Sequence, residues 1–234
     1  MIFAGIVAGG TGTRMGADKP KQFLDLCGKP IIIHTIEKFC SVDEIDKIYI
    51  GVHPDWVEYC IELLSEFKLK SNRISVIPGG NDRNSTVFNI VGKIDCEYKL
   101  NDNDIILTHD AVRPFVTESI IKDNITSTIV GKACGTYIPS VDTIINSVDG
   151  KIVTSVPEPK EMNQAQTPQS FTIIKLKETY LSLSDKEKSL LTDTCSVFTV
   201  KGLPVHIVQG DIANIKITTV KDFEIAKVIA KLDN

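Results

Sequence analysis

Near its beginning the chain carries Gly5-Ile6-Val7-Ala8-Gly9-Gly10-Thr11-Gly12-Thr13-Arg14-Met15-Gly16, followed two residues later by Lys19-Pro20-Lys21-Gln22-Phe23. The apolar run at residues 2–8 has the length of a single buried strand. Glycines allow backbone N–H groups to approach a polyanion closely, and the cations Arg14, Lys19 and Lys21 can neutralise its charge. The stretch therefore predicts a strand that ends in an anion-binding turn, and a nucleoside triphosphate is our first hypothesis for the anion.

Two common phosphate-binding motifs do not match this turn. A Walker A motif requires Gly-Lys-Ser/Thr, which the sequence does not contain. A dinucleotide fingerprint requires a glycine three residues after Gly12, where Met15 stands. A glycine cluster alone is equally typical of a flexible strand-to-helix loop, and the neighbouring cations favour anion binding over that alternative.

The composition is that of a soluble globular protein with one domain over residues 1–234. The hydrophobic content is 42% and the formal net charge is −4, which weighs against wholesale nucleic-acid binding. The six cysteines are scattered without a Cys-x-x-Cys pair, so we interpret them as small core residues and not as a zinc site. The N-terminus lacks the basic residues and cleavage site of a signal peptide, and no apolar run approaches membrane-spanning length. We therefore expect a cytoplasmic protein with no membrane partner.

Alternating strand and helix patterns predict an α/β fold with a mainly parallel sheet flanked by helices. Strands are predicted at residues 1–8, 47–53, 74–77, 104–109, 133–138, 169–172 and 205–208, and a short strand or turn at 214–218. Helices are predicted at residues 31–40, 56–67, 85–94, 117–131, 174–183, 193–199 and 220–232. Ligands of such sheets bind beyond the carboxyl ends of the strands. We therefore expect three polar loops, Gly9–Lys21, Gly79–Thr86 and Asp110–Pro114, at one edge of the sheet.

Residues 143–156 depart from this alternation. Two β-rich segments flank Asp149-Gly150, a favoured turn for a β-hairpin. The segment is apolar enough to need cover, so we predict a protruding β-hairpin arm, inserted at about residues 139–162, that packs on a second subunit in a homodimer. The alternative is a hairpin folded back on its own domain.

Three cations and one carboxylate are the candidate chemical groups. Attack at phosphorus requires positioning and neutralisation of charge on the non-bridging oxygens, and we assign this role to Arg14, Lys21 and Lys216. Asp110, at the end of a predicted strand, is a candidate ligand for Mg²⁺. It could instead cap a loop or pair with Arg113, and His109 fits a packed strand end better than a general base.

The turn Gly79–Thr86 precedes a predicted helix and is rich in Asn and Ser. Such side chains, together with helix N-terminal N–H groups, suit a base, a ribose or a phosphate. Helix capping is the alternative interpretation, and the two roles are compatible.

These segments occur together in a recognisable order. The motifs are Ala8-Gly9-Gly10-Thr11-Gly12-Thr13-Arg14-Met15, Pro20-Lys21-Gln22-Phe23, Gly79-Gly80-x-x-Arg83, His109-Asp110-Ala111-Val112-Arg113-Pro114, Thr167-Pro168-Gln169-x-Phe171, Thr192-Asp193 and Asn214-Ile215-Lys216-Ile217-Thr218. The chain thereby resembles the cytidylyltransferases that charge polyol phosphates with CTP, among them the enzymes for 2-C-methyl-D-erythritol 4-phosphate and ribitol 5-phosphate. Val112, where the methylerythritol branch usually has alanine, favours the ribitol branch.

The resemblance implies a Rossmann-like sheet, a homodimer joined through the arm, and attack of a polyol phosphate on the α-phosphate of CTP with release of pyrophosphate. It implies that Arg14 and Lys21 stabilise the transition state, that Lys216 positions the acceptor phosphate, and that Mg²⁺ bridges the triphosphate. The candidate nucleotide-binding residues are Val7, Ala8, Gly9, Gly10, Gly80, Asn81, Asp82, Arg83, Asn84, Ser85, Thr86, Asp110 and Ala111. The candidate substrate-binding residues are Lys160, Thr167 and Lys216.

One position departs from the family. An arginine is expected on the arm eight residues before Thr167, and Pro159 stands there, followed by Lys160. Lysine lacks the bidentate fork of arginine, so the identity of the acceptor stays open. Another sugar phosphate or nucleotide, or a regulatory protein that binds nucleotide without turnover, remain as alternatives.

Overall fold

The computed structural model describes residues 1–10 and 19–232, and it is built around a seven-stranded sheet. The strands are β1 (Ile2–Ala8), β2 (Asp25–Leu26), β3 (Lys29–Pro30), β4 (Lys47–Val52), β5 (Ile74–Pro78), β6 (Ile105–Asp110), β7 (Ala133–Pro139), β8 (Asn163–Thr172) and β9 (His206–Gln209). The helices are α1 (Ile31–Cys40), α2 (Val57–Glu66), α3 (Arg83–Glu97), α4 (Glu118–Gly131), α5 (Ile173–Leu181), α6 (Asp185–Lys188), α7 (Ser196–Thr199) and α8 (Val220–Leu232). Short 3-10 turns span Lys21–Phe23, Pro54–Trp56 and Pro159–Glu161.

The sheet has the strand order β5-β4-β1-β6-β8-β7-β9. Strand β8 is antiparallel to both of its neighbours, and the other strands share one direction. Strands β2 and β3 form a separate antiparallel pair. The mainly parallel α/β sheet predicted from the sequence is confirmed.

Both faces of the sheet are covered, as expected for strands that lie in the middle of a parallel sheet. Alternation along β1 sends Ala4, Ile6 and Ala8 into the core beneath α1, α2 and α4, and Phe3 into the core on the opposite face beneath α3 and α5. A smaller cluster joins α8 to Leu26, Ile31 and Phe115. The largely buried β1 therefore fixes the position of Gly9 and Gly10, which follow it.

The parallel strands β1, β4, β5 and β6 end at the same edge of the sheet. The turn after β5 and the segment after β6 therefore meet at this edge, next to Gly9 and Gly10 after β1. The predicted cluster of polar loops is confirmed for these segments, and residues 11–18 of the first loop lie outside the described residues.

Helix α3 begins at Arg83, two residues before the predicted start. Asp82 caps it, because its Oδ1 accepts a hydrogen bond from the N–H of Ser85 at 2.7 Å, and Ser85 Oγ accepts one from the N–H of Asp82 at 2.9 Å. The capping role considered for the Gly79–Thr86 turn is therefore present.

The structure corrects the prediction of a two-stranded hairpin at residues 143–156. Instead of two strands, the structure has one isolated antiparallel bridge between Asn146 and Ser155. A two-stranded hairpin with neither a third strand nor a packed face is marginally stable, which accounts for the missing ladder. The regular structure on either side is longer than expected, since β7 extends to Pro139 and β8 begins at Asn163.

One further expectation is corrected near the C-terminal part of the chain. The helix predicted at residues 193–199 is limited to Ser196–Thr199, and the Asp193 carboxylate accepts the N–H of Ser196 at 2.8 Å just before it. Residues 214–218, predicted as a short strand or a turn, are irregular and follow a turn at residues 212–213. Among the described helices, none is both long and apolar enough to cross a lipid bilayer.

Candidate functional site

A cavity of about 480 Å³ opens at the edge of the sheet where the parallel strands end. It is lined by Val7, Ala8, Gly9, Gly10, Lys21, Gln22, Asn81, Asp82, Arg83, Thr86, Asp110, Ala111, Val112, Lys216 and Thr218. Most of the residues proposed for nucleotide binding, and the two described candidate catalytic cations, therefore share one cavity. Its volume falls in the range of about 300–1,000 Å³ that is usual for small-molecule sites.

The other candidate residues lie around or away from this cavity. Asn84 and Ser85 line a neighbouring cavity of about 440 Å³, on the far side of Arg83. Lys160 lies in an exposed 3-10 turn of the arm. Gly80 supports the cavity from behind, since its N–H donates to Thr86 Oγ1 at 2.9 Å. Arg14 lies outside the described residues, so its catalytic role stays a prediction.

Asp110 is the electrostatic centre of the cavity wall. Its Oδ1 lies 2.8 Å from Arg83 Nε, and its Oδ2 lies 2.9 Å from Lys216 Nζ and 3.7 Å from Arg113 Nε. Burial alone would raise the pKa of Asp110, but attraction to Arg83, Lys216 and Arg113 outweighs burial and holds that pKa well below its usual range. Three cations around one carboxylate leave a positive excess, which favours an anionic ligand.

Arg113 is a structural partner of this carboxylate. It is buried, and its Nη1 donates to the carbonyl oxygen of Asn214 at 2.7 Å. This bond ties the segment after β6 to the segment that carries Lys216. The pairing of Arg113 with Asp110 considered from the sequence is therefore present, and Arg113 holds Asp110 and Lys216 in register.

His109 and Thr167 support Asp110 from inside the sheet. The Nε2 of His109 lies 3.1 Å from the carbonyl oxygen of Arg113, so this nitrogen carries the proton of a neutral ring. Its Nδ1 lies 2.9 Å from Thr167 Oγ1, which in turn accepts the N–H of Asp110 at 3.2 Å. Burial lowers the pKa of His109 to about 4 and outweighs the opposing effects of the Arg113 carbonyl and Asp110. His109 is a packed strand-end residue, as interpreted from the sequence.

This arrangement gives Thr167 a supporting role within the protein, and its role in substrate binding stays a prediction. Its side chain is buried behind the cavity wall, and its hydroxyl is used by His109 and by the backbone of Asp110. A hydroxyl engaged in this way holds the end of β6 and the ring of His109 in place.

Among the described residues, Asp110 is the candidate ligand for Mg²⁺ that lines the cavity. Among the described residues, no group of three His, Cys, Asp or Glu side chains could bind a metal ion. Mg²⁺ commonly uses one or two carboxylates together with waters and substrate phosphates. Asp110 fits this pattern as a single protein ligand of an ion that arrives with a triphosphate, and Mg²⁺ stays a proposal.

Sequence reasoning missed Gln22 as a site residue. Its Nε2 donates to the carbonyl oxygens of Ala8 at 2.7 Å and Gly10 at 2.9 Å, and the side chain is buried at the cavity wall. Its place between Lys21 and Phe23 in a shared motif was the available signal. The partners of a carboxamide cannot be deduced from sequence without the fold.

The family comparison agrees with the geometry of this cavity. Residues 2–231 match the family described as IspD: 2-C-methyl-D-erythritol 4-phosphate cytidylyltransferase. The chain belongs to this family. It is therefore a cytidylyltransferase, a nucleotidyltransferase that uses CTP and a phosphorylated sugar-like acceptor, and the predicted enzyme class is confirmed.

Solved structures lead to the same conclusion. The 4-diphosphocytidyl-2C-methyl-D-erythritol synthase from Anaerococcus prevotii is 27% identical, with 98% of this chain and 96% of that chain covered and a TM-score of 0.82. The 2-C-methyl-D-erythritol 4-phosphate cytidylyltransferase from Francisella tularensis is also 27% identical, with 97% and 98% covered and a TM-score of 0.79. The Thermus thermophilus enzyme of the same name, at 22% identity and a TM-score of 0.74, supports the fold alone. None of these comparisons supports the ribitol branch, which the sequence motifs favoured.

Proposed function

We propose that this protein transfers the cytidylyl group of CTP to 2-C-methyl-D-erythritol 4-phosphate and releases pyrophosphate. The observation that carries the proposal is the cluster of Arg83, Arg113 and Lys216 around Asp110, at the wall of a cavity whose floor is the glycine turn after β1. Family membership and the named structural relatives support the choice of acceptor.

The nucleotide occupies the cavity in this proposal. Cytidine packs against Val7–Gly10, the turn that precedes α3, and Ala111, and the triphosphate faces Lys21 and the predicted cation Arg14. Backbone N–H groups at glycines and at the capped start of α3 suit phosphate and base oxygens. Lys21 neutralises charge on the α-phosphate as the transition state forms, and Mg²⁺, when bound, offsets the charge of the triphosphate.

The acceptor phosphate lies next to Lys216. This side chain is 41% exposed, so its ammonium can contact a ligand while it stays paired with Asp110. An oxygen of the acceptor phosphate attacks the α-phosphorus of CTP and forms the new P–O bond. The bond from the α-phosphorus to the bridging oxygen breaks, and pyrophosphate leaves with its electron pair. The protein contributes positioning and charge neutralisation to this step.

Ribitol 5-phosphate is the second candidate acceptor. The observation that favours it is the arm, where Pro159 and Lys160 replace the arginine expected for the family, and Lys160 is exposed. A lysine contacts a phosphate through a compact charge and does not form the two parallel hydrogen bonds of arginine, so a change at this position can change the preferred acceptor.

Pyrophosphate release, measured with CTP, Mg²⁺ and each of the two acceptors side by side, tests the proposal. We expect the higher kcat/KM with 2-C-methyl-D-erythritol 4-phosphate, and little release when UTP or ATP replaces CTP. A higher kcat/KM with ribitol 5-phosphate overturns the acceptor in favour of the second candidate.

The same assay separates the enzyme from a nucleotide-binding regulator. Tight CTP binding without pyrophosphate release, across both acceptors and a wider set of polyol phosphates, contradicts the proposed reaction. Replacement of Lys160 by Ala then tests the arm, because an unchanged KM for the acceptor removes Lys160 from the acceptor site.

A further inference from the structure

Gln22 connects the two parts of the cavity that approach the triphosphate in the proposed reaction. It lies next to Lys21 in the 3-10 turn Lys21–Phe23, and its carboxamide donates both of its hydrogen bonds to the glycine turn after β1. The acceptors are the carbonyl oxygens of Ala8 and Gly10, two residues apart. One buried side chain thus fixes both the end of β1 and the segment that carries Lys21.

The next residue anchors the opposite side of the same turn. Phe23 is fully buried, and its ring stacks on Trp56 with a centroid distance of 5.3 Å and meets the edge of Tyr59 at 5.1 Å. Within the turn, the N–H of Phe23 donates to the carbonyl oxygen of Pro20 at 2.9 Å. Gln22 on one side and the aromatic cluster on the other therefore leave the backbone of Lys21 little freedom to move.

The hydrogen bond to Ala8 also orients the peptide group that joins Ala8 to Gly9. In a trans peptide the C=O and the following N–H point in opposite directions. Because Gln22 holds the carbonyl oxygen of Ala8, it also sets the direction of the N–H of Gly9. Glycine has little conformational preference of its own, so hydrogen bonds from another segment help to select one orientation of Gly9 and Gly10.

We propose that Gln22 is a positioning residue for cytidylyl transfer, which acts by holding Lys21 and the backbone of Ala8, Gly9 and Gly10 in one fixed geometry around the triphosphate. The inference rests on the proposed function, because it assigns Lys21 to the α-phosphate. Gln22 itself donates its amide hydrogens to the protein, so its effect on the reaction passes through Lys21 and the orientation of the turn.

The expected effect is a loss of turnover larger than the loss of binding. A displacement of about 1 Å in a catalytic group can lower the rate by about a hundredfold. Methionine has a similar length to glutamine and cannot donate these hydrogen bonds. Gln22→Met should therefore lower kcat by roughly ten- to a hundredfold, with the KM of the acceptor changed by less than about threefold.

A double-mutant cycle with Lys21→Ala is the decisive test, measured by single turnover at high enzyme concentration. If Gln22 acts through Lys21, Gln22→Met should lower the rate much less in the Lys21→Ala protein than in the unmodified protein, by under about threefold. An equal loss in both backgrounds, or an unchanged kcat in Gln22→Met alone, overturns the inference.

Asn124→Leu provides the matched control for loss of a buried carboxamide. Asn124 is fully buried, and its Nδ2 donates to the carbonyl oxygen of Ile120 at 2.8 Å and to Thr136 Oγ1 at 2.9 Å, away from the cavity. This variant should lower thermal stability and leave kcat unchanged. Gln22→Leu, with no charge and no hydrogen-bond donor, provides a second variant if Gln22→Met fails to fold.

A double-mutant cycle measured on CTP affinity distinguishes failure of this inference from failure of the proposed function. If the unmodified protein releases no pyrophosphate with any acceptor, the proposed function fails. The cycle of Gln22→Met and Lys21→Ala is then measured on the dissociation constant of CTP by calorimetry. Non-additive losses of CTP affinity support the positioning role of Gln22, and additive losses contradict it.

Discussion

At the scale of single residues, Asp110 is the common ion-pair partner of three cations at the cavity wall. Its carboxylate pairs with Arg83, Arg113 and Lys216, and the buried pairing with the two arginines holds the strand end in place. Lys216 differs from the arginines because it is much more exposed than they are. The same carboxylate therefore has structural partners on one side and a ligand-facing partner on the other.

This difference predicts how Lys216→Ala behaves. Lys216 is 41% exposed and Asp110 keeps both arginine partners in this variant, so the free energy of unfolding should fall by only about 1 kcal/mol. Loss of a cation that stabilises transferring phosphate groups should lower kcat/KM for the acceptor by about a hundredfold or more. Steady-state kinetics and thermal unfolding measure the two effects. Lys221→Ala, a nearby exposed lysine outside the cavity, is the control and should change neither.

His109 predicts a pH dependence of stability. Its pKa is lowered from 6.5 to about 4 in the folded protein by burial, so the unfolded state binds more protons between these two values. Stability therefore falls as the pH falls through this window, by about 1.5 kcal/mol between roughly pH 6.5 and pH 5. Denaturant unfolding at several pH values measures the slope.

His109→Gln should flatten this slope, because glutamine does not titrate. His206→Gln, at an exposed histidine of β9, should keep the slope of the unmodified protein. An equal slope in His109→Gln and the unmodified protein would show that another group causes the pH dependence.

At the scale of elements, the edge of the sheet depends on close packing around Thr86 at the start of α3. Thr86 is fully buried, and its methyl group lies against Gly51 of β4. A Cβ on Gly51 would lie 2.4 Å from Thr86 Cγ2 and 3.3 Å from Ile90 Cδ1. The glycine therefore allows α3 to approach β4 closely enough to bring its capped N-terminus to the cavity.

A pair of glycine substitutions tests this packing. Gly51→Ala should destabilise the protein by about 1–3 kcal/mol, because the core around Thr86 has to move. Gly92→Ala changes an exposed position of α3, where a Cβ would meet no described atom outside the helix within 4 Å. This substitution should stabilise the protein by about 0.5–1 kcal/mol. Opposite signs in denaturant unfolding support the argument, whereas equal signs contradict it.

The elements also show what the sequence can predict. Helices α1 and α8 have the predicted bounds, because apolar residues recur at helical spacing in both and Pro30 precedes α1. The first half of β8, in contrast, was missed. Asn163, Gln164 and Gln166 are polar, and they join a strand because β7 provides backbone partners, a contact between segments that no local pattern encodes.

At the scale of the whole molecule, the position of the site could be predicted and its internal supports could not. Parallel strands bring the glycine turn and Asp110 to one edge, so their meeting follows from the topology alone. Gln22 and Thr167 support the site through hydrogen bonds to other segments of the chain. Local sequence patterns do not predict such bonds. The sequence motifs identified Arg83 and Lys216. Their shared pairing with Asp110 is visible in the fold.

The arm carries the largest group of exposed apolar side chains that lies outside regular structure. They are Val141, Ile144, Ile145, Val148, Ile152, Val153 and Val156. Exposed apolar side chains concentrated in one segment are typical of an interaction surface, and the bridge between Asn146 and Ser155 leaves the arm without a sheet of its own to pack on. The homodimer expected from the sequence remains our proposal for what covers it.

Light scattering at micromolar concentration tests this proposal. We expect a mass of twice the 25.7 kDa of one chain. Val148→Asp combined with Ile152→Asp should yield the monomeric mass, because burial of two carboxylates in an apolar interface is unfavourable. Leu181→Asp, at an equally apolar and 69% exposed position on α5, is the control and should stay dimeric. A monomeric unmodified protein contradicts the dimer, and a dimer that persists in the arm variant requires an interface elsewhere on the molecule.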